Sequence, residues 1–398
     1  MNKRVGMLIC ATVAALGLAA CSSSGGSGGS TGGAGDTGAP AGSTASGGGS
    51  SASSGGSIKI EVVAPFSGAE GYLGQPTMNG IELALKDIGG VVAGRKVELV
   101  KADDGCTPAT AVQLIRKFAD DSSVSAVFGP ICSGSMAAVQ KTMAQNNMVH
   151  VTNGYGATLT TAGDNYIFVG VPNGTQLVQA MQPYIEQQHP QSAAVVQGND
   201  GYSQQLADAE KKLLGTMGIK VAYNGTFDDS TTDYSGQISG IKNSGANIVL
   251  IAAYEANGGA LIKQLRQEGV TIPIGTPDAC DPAATSVAGK YADNVGFAWN
   301  FCPTYPAFAP FTSAYQAAYN KVPTDAVAGA YTAASALFAG LAKTGGQGGS
   351  ALRSAMVGLT VQTKIGNLHY AEDGGLIQPT IVTGVMEKGK ATFSSGQG

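Results

Sequence analysis

An α/β fold in two lobes is what the sequence predicts, on three observations. Short β-branched apolar runs alternate with amphipathic helical stretches, the alternation restarts midway along the chain, and the length from Ile58 to Gly398 exceeds what one hydrophobic core comfortably serves. In the first series the strand-like runs are Ile58–Val63, Val97–Lys101, Val124–Phe128 and Met148–Thr152. All are of the buried parallel-strand type, with helices expected at about Met78–Ile88, Ala109–Asp120 and Ser135–Asn146. In the second series, Ala193–Val196, Val221–Asn224, Ile248–Ala252, Ile272–Ile274 and Val295–Phe301 are strands. Helices are expected near Thr175–Gln188, Tyr202–Met217, Tyr234–Asn243 and Gly258–Gln267. Two more follow at Ala307–Asn320 and Ala326–Lys343, then a β-rich tail from Asn367. Extra helices after the second series imply that the chain passes between the lobes more than once. A cleft between them would face strand C-terminal ends from both sheets, where open α/β sheets hold ligands.

The N-terminal 57 residues have a different logic. A basic start from Met1 to Arg4, an apolar run from Val5 to Leu16 and the small-residue close Leu18-Ala19-Ala20-Cys21 form a secretory signal, too short to be a stable membrane span. From Ser22 to Ser57 only Asp36 and Pro40 depart from Gly, Ser, Ala and Thr, a composition that cannot offset the entropy of ordering a backbone. As a Gly/Ser coil it has a root-mean-square reach of roughly 30–35 Å. The stretch Leu18 to Cys21 resembles the lipobox of bacterial lipoproteins, which implies lipidation of Cys21. The expected organisation is therefore a signal peptide over residues 1–21 and a tether over 22–57. A first lobe would span residues 58–172 plus 303–374, and a second 173–302 plus 375–398. Crossovers are expected near Val171–Asn173, Asn300–Pro303 and Gly374–Gln378.

Once Lys3 and Arg4 are removed, 21 basic residues face 27 acidic ones, a net charge of −6 with the basic residues scattered. That argues against nucleic acid or an anionic membrane surface as partner. Four cysteines remain in an oxidising compartment, as two sequence-local pairs: Cys106 with Cys132 and Cys280 with Cys302. Each pairing would close a loop worth about 3 kcal/mol, although the other two connectivities stay open on sequence alone. The cysteines contain no CxxC and have no neighbouring His, so zinc is not expected. His150, His189 and His369 are far apart and form no HExxH, and there is no GxSxG elbow. Gly90 to Arg95 lacks the ending of a phosphate loop and reads as a turn. Neither an enzyme, a metal nor a cofactor is expected.

Polar and aromatic residues gather instead at strand ends. The run from Phe128 to Met136 passes from strand to helix, with Ser133 or Ser135 expected to cap a helix whose free N–H groups suit a carboxylate. Asp103-Asp104-Gly105-Cys106-Thr107-Pro108 followed by Gly129-Pro130-Ile131-Cys132-Ser133-Gly134-Ser135 resembles the disulfide-linked segment of periplasmic binding proteins of the leucine/isoleucine/valine type. The resemblance continues through Pro65 to Gly68, Gly71 to Gly74, Asn199 to Tyr202, Tyr254 with Gly258 to Gln267, and Gly329 to Ala334, covering nearly all of Ile58 to Phe393. It implies a type I periplasmic-binding-protein fold with three crossovers. The function it implies is that of a monomeric solute receptor for an ABC importer, binding an amino acid of the branched-chain type or a related small carboxylate in the cleft between the lobes by hinge closure, held outside the cytoplasm by the lipid on Cys21 and handing its ligand to permease subunits.

Residue by residue, the resemblance implies that Ser133 and Ser135 take a ligand carboxylate and that Tyr72 covers the side-chain pocket. Tyr202 and Tyr254 would close from the second lobe, and Asp278, with Asp281 as second candidate, would pair a ligand ammonium. The chain departs from the family at Thr152 to Ala157. There Gly154, Tyr155 and Gly156 stand where amino-acid binders commonly carry a Thr hydroxyl, and Tyr155 offers an aromatic wall. Amides, urea-like compounds and aromatic acids are therefore alternative ligands, and a sensor an alternative partner.

Overall fold

The computed structural model of the chain describes residues 56–161 and 166–394. The signal, the tether apart from its last two residues, and Cys21 lie outside them. In chain order the described residues form β1 (Ile58–Ala64), α1 (Gly74–Asp87), β2 (Val91–Val92), β3 (Arg95–Asp103), α2 (Pro108–Ala119), β4 (Val124–Phe128), α3 (Ser133–Gln145), β5 (His150–Thr152) and β6 (Ile167–Val169). Then come α4 (Gly174–Ala180), α5 (Gln182–Gln187), β7 (Ser192–Gly198), α6 (Gly201–Thr216), β8 (Lys220–Phe227), α7 (Ser235–Ser244), β9 (Ile248–Ala252), α8 (Glu255–Gln267), β10 (Ile274–Gly275), α9 (Pro282–Ala288) and β11 (Val295–Trp299). The last third holds α10 (Ala309–Tyr319), α11 (Asp325–Lys343), α12 (Gly349–Met356), β12 (Thr360–Thr363), β13 (Gly366–His369), β14 (Val382–Glu387) and β15 (Lys390–Phe393).

Two sheets result, one per lobe. The first runs β2-β3-β1-β4-β5-β6 and the second β15-β14-β11-β10-β9-β7-β8, with β12 and β13 a separate hairpin. β1 pairs in parallel with both β3 and β4, and β7 with both β8 and β9. In each sheet the chain first winds to one side of its opening strand and then to the other. Each therefore has a topological switch point, between β1 and β4 and between β7 and β9, where the loops diverge and leave a crevice. The inward strands are continuous apolar runs because helices cover both faces: every residue of β9 and of β11 is buried. The chain crosses between the sheets at residues 170–173, after β11, and between β13 and β14.

The expected helix over Thr175–Gln188 is two helices, α4 and α5, parted at Met181. Pro183 has no N–H to donate and its ring would meet the carbonyl four residues back, so the helix restarts with proline in its first turn. β2, β6, α9, α12 and β12 were not expected. Each is short, and its period is too brief to read from sequence. The tail does turn to strands near Asn367, as β13 to β15.

α11 is long and apolar enough to cross a membrane, but 83% of its apolar stretch is buried inside the fold, where it packs on α1. The two axes come close because position 80 of α1 has no side chain. A Cβ on Gly80 would run into the Val327 carbonyl oxygen and lie 3.0 Å from the Ala330 Cβ. Gly80→Ala is expected to destabilise the protein by about 1–3 kcal/mol, read as a lower midpoint in urea at unchanged slope.

The two open cysteine pairings are both local: Cys106 is bonded to Cys132, and Cys280 to Cys302. The first ties the loop after β3 to the start of α3. The second ties the segment after β10 to the crossover after β11.

Candidate ligand-binding cleft

The switch points of the two sheets face each other, and each loop that leaves them carries one part of the site. Tyr72 sits in a single 3-10 turn, Gly71–Leu73, between β1 and α1. Ile131 and Cys132 lie between β4 and α3. Tyr202 is in the first turn of α6 after β7, and Tyr254 immediately precedes α8 after β9. Together with Leu73, Asn153, Tyr155, Glu255, Asp325 and Ala326, four of these residues (Ile131, Cys132, Tyr202 and Tyr254) wall a cavity of about 30 Å3.

Aromatic rings form its sides. Tyr202 lies 5.1 Å from Tyr254 and 6.1 Å from Tyr155, centroid to centroid. Tyr155 in turn stacks on Trp299 at 4.6 Å. Its hydroxyl is 2.8 Å from both Asn300 Oδ1 and Asp325 Oδ2. One phenolic proton serves one of these acceptors; a proton on Asp325 lets that carboxyl donate to the phenolic oxygen while the phenol donates to Asn300. Tyr155 thereby ties the first lobe to the crossover after β11. A second tie is Tyr72, whose hydroxyl donates to Glu255 Oε2 at 2.8 Å.

Carboxylates form the floor. Glu255 and Asp325 are each only 3% exposed, and Asp325 Oδ1 and the Tyr202 hydroxyl have no hydrogen-bond partner. Burial, then the charges of Asp325, Asp278 and Asp281, pushes the Glu255 carboxyl well above its ordinary range. Burial likewise raises Asp325 and Asp281, the latter also through the Asp325 charge. It pushes Asp278 up to about 7 against the pull of the Thr276 hydroxyl. Behind the floor, Asp281 caps α9 by accepting from Ala283 N at 2.7 Å and also accepts from Asp325 N at 2.7 Å. The wall thus presents aromatic faces and two buried carboxyls and carries no basic side chain.

The positions expected from sequence divide. Tyr155, Tyr202 and Tyr254 come together on the wall, and Tyr72 reaches it through Glu255. Asp278 is not on that wall: it is buried, with Thr276 Oγ1 donating to its Oδ1 at 2.7 Å. Ser135 is wholly buried, beside Asp104. Neither serine caps α3. The N-cap is Cys132, which the disulfide consumes, and no side chain accepts from the first turn. Ser133 is the first helical residue and faces Gly156, where a Cβ would lie 3.2 Å from Ser133 Oγ and 2.9 Å from Leu159. Gly154 N–H donates to Thr152 Oγ1 at 3.0 Å, and Thr152 Oγ1 donates to the Pro130 carbonyl at 2.8 Å, so this hydroxyl braces the loop. The start of α3 meets the start of α6 from the other lobe, a Cβ on Gly201 lying 3.1 Å from Gly134 Cα. Two helix N-termini thus converge at one edge of the cleft. Glu255, Asp325, Trp299 and Asn300 were not expected. Among the described residues no group of three His, Cys, Asp or Glu is placed to hold a metal.

A family model for periplasmic binding proteins matches residues 57–390. The chain belongs to the periplasmic binding protein family. This periplasmic binding protein is 26% identical over 353 residues to the Leu/Ile/Val-binding protein homolog 3 of Brucella melitensis, spanning 84% of this chain and 92% of that one. Among solved structures, the leucine-binding protein LivK of Thermotoga maritima superposes with a TM-score of 0.77 at 22% identity, over 85% of this chain and 97% of that one. A solute-binding protein of R. palustris in complex with benzoate gives a TM-score of 0.76 at 19% identity, over 85% and 95%. Both structural likenesses are to the two-lobe fold.

Proposed function

We propose that this periplasmic binding protein is the extracytoplasmic solute receptor of an ABC importer. It binds a small amino acid or related carboxylate between its lobes and delivers it by hinge closure to permease subunits. The observation that carries the reading is the composition of the cavity wall, drawn from the switch points of both sheets, so that lobe closure and ligand contact are one event. The lobes would be residues 58–172 with 303–374, and 173–302 with 375–398. A lipid on Cys21 and the tether of residues 22–57 would keep a monomeric body at the membrane surface.

In this reading the ligand carboxylate lies at the uncapped start of α3, with Ser133 supplying a hydroxyl and Gly156 leaving room beside it; Gly154 shapes the loop and Ser135 supports the helix from behind. Tyr155, Tyr202 and Tyr254 enclose the ligand, Tyr72 latches the lobes, and Glu255 with Asp325 takes the ammonium, Asp278 adding its field from behind. The relative from B. melitensis is named for leucine, isoleucine and valine, and the R. palustris structure holds benzoate. Amino acids and aromatic acids are accordingly the first ligands to try.

Trp299 is the chain's one tryptophan and stacks on Tyr155, so it reports on the cavity directly. Titrating the full chain with amino acids and benzoate should give a saturable change in tryptophan fluorescence with at least one of them. The same ligand at 100 times its Kd should stabilise the fold by about 2.7 kcal/mol. No response to any of them would remove the receptor reading.

A further inference from the structure

The charge of the cleft says more about the ligand than the fold does. Next to the inner cavity is a second chamber of about 470 Å3, and Cys132 and Tyr254 wall both. The outer chamber carries Glu70 from the loop after β1, with Asp200, Asp228 and Asp229 from the facing lobe, and neither wall contains a Lys, Arg or His. Glu70 is only 6% exposed. Burial, then the charges of Asp229 and Asp200 across the cleft, pushes it up to about 7. Burial and the Asp200 and Asp228 charges do the same to Asp229. Closing the lobes therefore gathers acids from both sides with no basic side chain among them; the starts of α3 and α6 reach the same wall at Gly134 and Gly201, and Asp200 caps α6 by accepting from Tyr202 N at 2.7 Å and Ser203 N at 3.0 Å.

We propose that the ligand carries a net positive charge, being an amino acid with a cationic side chain whose amino head sits against Glu255 and Asp325 and whose side chain passes Cys132 and Tyr254 to end among Glu70, Asp200 and Asp229. The inference rests on the receptor reading and narrows its ligand. Three observations carry it. The inner cavity has space for roughly two or three water-sized groups, enough for the ammonium end of a ligand and not for a whole amino acid. Its Asp325 Oδ1 is buried without a partner in that wall. The chamber that must take the remainder has no Leu, Ile, Val, Met or Phe on its wall, so an aliphatic side chain would meet acids and glycines there. A zwitterion such as leucine adds no net charge to this set of carboxylates; a basic amino acid has the same zwitterionic head and adds one net positive charge, at the far end of its side chain.

Calorimetric titration of the full chain with L-lysine, L-ornithine, L-leucine and benzoate tests it. Lysine or ornithine should bind at least about 100-fold more tightly than leucine. In a Glu70→Gln, Asp229→Asn double variant that melts like the parent, the lysine-to-leucine ratio should fall at least about tenfold. Leucine or benzoate binding as well as or better than lysine and ornithine would overturn the inference and leave the receptor reading standing. An unchanged ratio in the double variant would overturn the role of the outer chamber. Heat with none of the four would overturn both readings together.

Discussion

The melting temperature of the ligand-free protein is expected to rise by about 5 °C or more between pH 8 and pH 5. Eight carboxyls have their pKa raised in the folded state: Glu70, Asp104, Glu210, Asp229, Glu255, Asp278, Asp281 and Asp325, burial being the largest cause in each. A raised carboxyl holds a proton in the fold that the unfolded chain has already released. Stability from these groups is therefore greatest below their ordinary range near pH 4 and is lost as pH climbs towards their folded values. For Asp278, at about 7, the loss between pH 5 and pH 8 is roughly 2 kcal/mol. His150 works the other way, since burial drops it to about 3 and leaves it neutral in the fold, at a cost that grows as pH falls below 6.5. Asp103, Asp121 and Asp228, lowered in the fold by hydrogen bonds, contribute stability that is constant across this range and is lost only below about pH 4. One His against eight acids leaves the sign with the acids. Scanning calorimetry across that range checks it, and a melting temperature that is flat or rises towards pH 8 would mean that the carboxyls are neutralised in some other way.

Glu255→Gln is expected to weaken an amine-bearing ligand by about 100- to 1,000-fold, while Asp278→Asn costs far less. Glu255 is on the cavity wall, holds the Tyr72 hydroxyl and is nearly free of solvent, so removing its charge leaves a buried ammonium short of its counter-charge, worth about 3–5 kcal/mol. Asp278 is not on the cavity wall, its Oδ1 accepts from Thr276, and it acts through its field. Parallel titrations of the two variants with one amine ligand decide between them. Equal losses would move the ammonium partner back to Asp278, the acid at the position to which the family resemblance points.

The alternation of strand and helix was legible in the sequence because buried parallel strands are continuous apolar runs. β4 and β9 have the bounds expected of them, and the restart at Ala193 marks the second sheet. The family resemblance pointed to Tyr72, Tyr202 and Tyr254, and of these Tyr202 and Tyr254 lie on the cavity wall while Tyr72 meets Glu255. The wall's own acids were not legible. Glu255 opens a helix directly after a Tyr, and Asp325 opens another after a Thr, places where a carboxylate ordinarily serves the helix dipole. Only the fold shows that α8 and α11, some 70 residues apart in the chain, point their first turns into one cavity. Asp278 drew attention because the family resemblance implies an ammonium-pairing acid at that point, but β10 is two residues long and the turn after it directs the carboxyl to Thr276. The serines failed as caps because a disulfide already holds the residue at that position.

The pairing of α1 with α11 bears on when this molecule takes shape. The first sheet is drawn almost entirely from the opening part of the chain, yet the helix that lies on α1 is some 240 residues downstream, and the second sheet waits for β14 and β15 near the very end. Loop closure over such distances is slow to be rewarded. A polypeptide that leaves both halves unfinished until nearly all of it has been made stays slack for the whole of its synthesis, which is the condition in which a chain can be threaded through a narrow pore and close up on the far side.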